Sequence, residues 1–158
     1  MPVWTIIIIG VTAGLLLFAF LIWMVVRIAY RTDKHWHKAN PGIDVILSAN
    51  GANCAAFPIP DSKSNLRGNG LLVLTEEELQ FWMWTSDKRL TIPLSGITLI
   101  DTVRKFAGRW GRLPMLHIKF HSAGEILETA WILTNAKSWV DRIKGLKSGD
   151  AEWLLKND

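Results

Sequence analysis

Three patterns of apolar and polar positions follow one another along this chain. Residues 3–26 are apolar at nearly every position and carry no charge. Residues 45–133 carry short runs in which apolar and polar side chains alternate, as they do in strands with two different faces. From Trp139 the period lengthens, with Val140, Ile143 and Leu146 completing one helical face.

The first pattern predicts a membrane-spanning helix. A bilayer core about 30 Å thick needs roughly 20 apolar helical residues to cross it, whereas a helix on a soluble core is apolar along one stripe only. Trp4 and Trp23 stand near its ends, where indoles favour the membrane–water interface. A cleaved signal peptide fits less well: no Lys or Arg precedes the run, the run is long, and no small-x-small site follows before Arg27 and Arg31. Asn40-Pro41-Gly42 predicts where the helix stops.

The second pattern predicts strands at 45–48, 55–59, 71–74, 79–84, 90–94, 97–103, 115–121 and 126–133. Pro58 and Pro60 argue that the second of these lies at an edge. Turn chemistry fills 61–70, Asp87-Lys88 and 122–124. The third pattern predicts one amphipathic helix, capped by Thr134 or Asn135 and ended by Gly145 or Gly149, with Lys137, Asp141, Arg142 and Lys144 outward. The expected organisation is an anchor at 1–26, a basic neck and linker at 27–42, a mainly β domain at 43–149, and a tail at 150–158 able to form a further helical turn. The roughly 115 residues after the linker suit one core.

The runs GLLVLT at 70–75, ELQF at 78–81, LTIPLSGI at 90–97 and TAWIL at 129–133, the last leading into the helix with Trp139 and Ile143, resemble the pleckstrin-homology superfold, in particular its GRAM-like and bacterial PH-like members. The resemblance implies short antiparallel strands closed by a C-terminal amphipathic helix. It says little about function. Lipid-binding PH domains receive a phosphoinositide on a basic early hairpin; only Lys63 and Arg67 stand in that region, so that activity is not carried over.

Charge changes the picture at two places. Arg27, Arg31, Lys34 and Lys38 follow the apolar run, against Asp33 alone, which predicts the N-terminus outside and the β domain cytoplasmic. Spaced four, three and four apart, they share one stripe if the helix continues past Val26. That stripe either touches anionic head groups or simply sets topology. The segment 104–112 interleaves Arg104, Lys105, Arg109 and Arg112 with Phe106 and Trp110 and reads as a glycine-containing mobile loop, suited to lipid phosphates, to an acidic partner, or to neither. The net charge of +4 gives nucleic-acid binding little support.

Other candidates are weaker. Trp82 and Trp84 alternate with Leu79, Phe81 and Met83, so both indoles point to the second sheet face, where they form a contact patch or are covered by the linker or tail. Gly10 and Gly14 form a GxxxG that would let a second helix, of this chain or another, approach closely. Cys54 reads as a lone buried thiol. His35 and His37 lack further ligands, and His117 and His121, read as solvated, lie about 13 Å apart on one strand face, too far to share a metal. No catalytic constellation, metal set or cofactor motif is visible, so a non-enzyme is expected. The expectation is a membrane-anchored scaffold or accessory subunit, with anionic-lipid sensing by the neck and 104–112 as the alternative.

Overall fold

The apolar run and the basic neck form one helix. In the computed structural model, which describes residues 2–58 and 66–149, α1 spans Val3–Ala39 without a break at Val26. At 1.5 Å per residue it is about 55 Å long. Its apolar part is long enough to cross a membrane, and none of that stretch is buried against the domain. It ends where expected: the Asn40 side chain and backbone N–H both donate to the Trp36 carbonyl, and Gly42 takes a left-handed φ of 78°. Ile59, the expected turn at 61–65 and the tail at 150–158 lie outside the described residues.

Among the described residues seven antiparallel strands follow: β1 Leu47–Phe57, β2 Leu66–Leu74, β3 Glu78–Met83, β4 Arg89–Pro93, β5 Ile97–Phe106, β6 Arg109–Ser122 and β7 Glu125–Ile132. Their order in one sheet is β4-β3-β2-β1-β7-β6-β5. A 3₁₀ turn at Leu94–Gly96 links the two edge strands in sequence. The helix α2, Ala136–Ser148, packs Trp139, Val140 and Ile143 against the inner face. There Leu72, Leu74, Phe81, Leu116, Ile118, Phe120 and Trp131 form the main core.

Four expectations are corrected. The two strands at 45–48 and 55–59 are one strand, because Asn50-Gly51 makes a bulge (Gly51 φ 102°) instead of a turn. Pro58 does not mark an edge: β1 is central, and the strand stops at Phe57 before the proline can cost a ladder bond. Residues 66–70, expected as turn, belong to β2 and pair with β1. Gly145 lies inside α2, and the left-handed C-cap is Gly149; Asn135 holds the N-cap position without a side-chain bond.

Cys54 is fully buried among the core residues, and desolvation pushes its thiol up to about 11. The thiolate is the reactive form. We therefore expect the native protein to resist alkylation and the unfolded chain to react; fast modification of folded protein would show that β1 opens locally.

Candidate functional site

The last three turns of α1 lie on the outer face of the sheet, opposite α2. Trp36 carries the contact: it is 0% exposed and packs on Leu71, Val73 and Trp82. Its Nε1 donates to Gln80 Oε1 at 2.7 Å, and Trp82 Nε1 donates to the same oxygen at 3.1 Å. Gln80 Nε2 donates in turn to Glu78. The buried amide thereby pairs both buried indoles, which would otherwise be costly. The Trp82 face is covered, and the cover is the neck itself. Trp84, half-buried, donates Nε1 to Asn50 Oδ1 at 3.1 Å, and Asn50 Nδ2 donates to the carbonyl of Ala29 at 3.1 Å.

With α1 continuous, Arg27, Arg31, Lys34 and Lys38 do form one exposed stripe. At 100° per residue Arg27, Lys34 and Lys38 lie roughly opposite Trp36, facing away from the sheet, while Arg31 stands on the flank that turns toward the β3–β4 hairpin. The Arg27 guanidinium sits 4.9 Å from the Trp23 ring centroid. Gly10 and Gly14 are bare on their helix: a methyl carbon added to either would meet nothing within 4 Å.

The segment 104–112 is not a mobile loop. It is the tip of the β5–β6 hairpin, closed by Ala107 (φ 47°) and Gly108 (φ 75°) as a two-residue turn with both residues left-handed. The tip folds back over the outer face. Phe106 packs by Ala55, Met115 and Ala130; Arg109 donates to Asn53 Oδ1 at 2.7 Å; and Arg67 donates to the Ala107 carbonyl at 3.0 Å. Arg109 is therefore half-buried and internally engaged. Arg104, Lys105 and Arg112 remain exposed with Trp110, which is 73% exposed and has Lys105 Nζ 5.2 Å from its ring centroid.

One bulge assembles these parts. An uninterrupted strand would point Asn50 and Asn53 to opposite faces. The extra residue at Gly51 pairs Asn50 with Leu71 and Asn53 with Asn69, two positions on one face of β2. One asparagine holds α1 and the other holds the hairpin tip.

His117 corrects the solvated reading: it is buried against Phe106, with Nε2 3.1 Å from Glu128 Oε2. The Lys119 ammonium, 2.7 Å from the other oxygen, holds the Glu128 carboxyl below the usual carboxylate range, with His117 adding to the effect. Among the described residues no three His, Cys, Asp or Glu side chains converge as a metal site.

Trp36, Gln80, Asn50 and Asn53 were not singled out from the sequence. The available signals were a lone Trp inside the charged segment 33–38 and an Asn-Gly pair between two apolar runs.

No family model matches the chain, and no curated protein matches it in sequence. Among solved structures it is similar to the C-terminal domain of an unknown protein from Leishmania infantum, at 14% identity and a TM-score of 0.48, over 72% of this chain and 95% of that one.

Proposed function

We propose that this chain is a single-pass membrane protein, N-terminus outside, whose cytoplasmic PH/GRAM-like domain is a non-enzymatic interaction module that contacts anionic lipid at the leaflet surface. The observation that carries the reading is the clamp between α1 and the sheet. Ala29, held by Asn50, lies only three residues, about 4.5 Å of helix rise, beyond Val26. Where residues 3–26 fill the hydrocarbon core, the top of the sheet sits at head-group depth. The hairpin tip is held from the same face of the same strand, and it presents Lys105, Trp110 and Arg112 outward. Cations that meet phosphates beside an indole that favours the interface suit that depth. The cations that follow the apolar run support the orientation. The antiparallel meander with its inner face covered by α2 supports the PH-like reading.

A membrane tether makes weak contacts effective by raising local concentration. The accessory-subunit reading keeps Trp110 as its docking residue, since α1 already occupies Trp82.

The test uses the full chain in nanodiscs. Cys54 is buried, so a W110C variant accepts a polarity-sensitive fluorophore at one place. The label should shift to the blue in discs containing anionic lipid and return with salt, because screening weakens such contacts. Identical spectra in neutral and anionic discs, with a second protein co-purifying in fixed proportion, would replace this reading by the accessory subunit.

A further inference from the structure

A cleft of about 520 Å³ opens between the lower half of α1 and the β3–β4 hairpin. That size falls within the roughly 300–1,000 Å³ usual for small-molecule sites. From α1 come Arg31 and His35, with Ile28 and Thr32 above and between them; from the hairpin come Ser86, Lys88 and Arg89. Arg31, Lys88 and Arg89 face a single lining carboxylate, Asp87. Arg89 is fixed in advance, its guanidinium stacked 3.8 Å over the Trp82 ring, and Trp82 is itself pinned by Gln80. Among the described residues, the side chains of Arg31 and Lys88 have no ion-pair partner.

We propose that this cleft is a binding site for one anionic phospholipid, its phosphate held between Arg31, Lys88 and Arg89. The inference rests on the membrane reading above and makes it specific. A lipid is favoured over a free anion because of height. Ile28 lies two residues past the apolar run, and Asn50, bonded to the Ala29 carbonyl, shares its ladder level with Leu71, Trp82 and Arg89, so the cations stand at the height where the apolar run ends. Arginine pairs two N–H donors with two phosphate oxygens, and the hydroxyls of Thr85 and Ser86 stand in the same wall. The two walls belong to elements far apart in sequence. The site exists only while Trp36 keeps them together.

The experiment measures lipid retention by native mass spectrometry. Full-length protein in detergent is incubated with equal amounts of phosphatidylglycerol and phosphatidylcholine. The native chain should keep one phosphatidylglycerol in preference to phosphatidylcholine. R31Q/K88Q should lower that retention about tenfold or more, since each surface charge near a lipid phosphate is worth a sizeable fraction of that factor. K34Q/K38Q removes the same charge from the back of α1 and should leave retention unchanged. Equal loss in both double variants would overturn the cleft while leaving general anionic contact standing. No preference for phosphatidylglycerol in the native protein would overturn both. Equally tight binding of inorganic phosphate by delipidated protein would overturn the assignment to a lipid.

Discussion

Replacing Gly70 by alanine is expected to lower the thermal midpoint of the β domain on the order of 10–20 °C. A methyl carbon at this position would lie 2.3 Å from the carbonyl oxygen of Trp82 and 2.7 Å from two ring atoms of Phe81. The oxygen is backbone on the paired strand, so no rotamer change relieves it. The ring cannot retreat easily either. Phe81 stacks against Phe57 at 6.4 Å and against Trp131 at 5.9 Å, tying β3 to β1 and β7 across the middle of the core. Overpacking a rigid core costs about 3 kcal/mol when neighbours cannot yield, and in a domain near 100 residues each kcal/mol shifts the midpoint by roughly 4–8 °C. Unfolding can be followed by the exposure of Cys54 to a thiol reagent. Gly68→Ala is the control: its methyl would meet only the flexible side chain of Met83, at 3.1 Å, and should be mild. Equal damage from both would show that the loss comes from the local backbone shape of the strand, and that the Phe81 contact decides nothing.

That glycine also shows where sequence reasoning failed. Periodicity found α1, α2 and the two-faced strands, because each buries a continuous stripe or alternates cleanly around one core. It failed where the residues are small and polar but the neighbours make a strand of them. Residues 66–70 contain Arg, Asn and two glycines, and read as turn; they are strand because β1 supplies the ladder and Phe81 fills the space over Gly70. Asn50-Gly51 has the composition of a hairpin turn and is instead a bulge inside a strand whose Ala52 and Cys54 belong to the core. The segment 104–112 has loop composition, yet its tip is fastened by Phe106 and Arg109 to residues about 50 positions away. The exposed cations of the candidate site were legible, since charge needs no tertiary context to be noticed. What arranges them was not, because Trp36 stands alone in a polar helix and its partners on β2 and β3 come more than 30 residues later. His117 is buried for the same reason: Phe106 covers it on the outer face.

Trp36→Ala is expected to free the β domain from α1 without unfolding it. Truncating a buried tryptophan costs about 3–5 kcal/mol, and here the loss falls on one contact. The main core does not contain Trp36; the small cluster of Trp36, Leu71, Val73 and Trp82 does. Once the indole is gone, the bond from Asn50 to the Ala29 carbonyl is the remaining hydrogen bond described between the two bodies, and one exposed hydrogen bond contributes only about 1 kcal/mol. Spin labels at K34C on α1 and T91C on β4, both exposed, should report a narrow distance distribution in the native protein and a broad one in Trp36→Ala, while Cys54 stays protected from alkylation. Trp36→Phe should stay narrow: a ring still fills the site, and Gln80 Oε1 keeps the bond from Trp82. A narrow distribution in Trp36→Ala would mean that the clamp lies elsewhere. A broad one should bring the loss of phosphatidylglycerol retention with it, because Arg31 and Arg89 would then belong to bodies that no longer hold a fixed distance. Loss of lipid in Trp36→Ala but not in Trp36→Phe would tie the cleft to the clamp through a residue that does not line it.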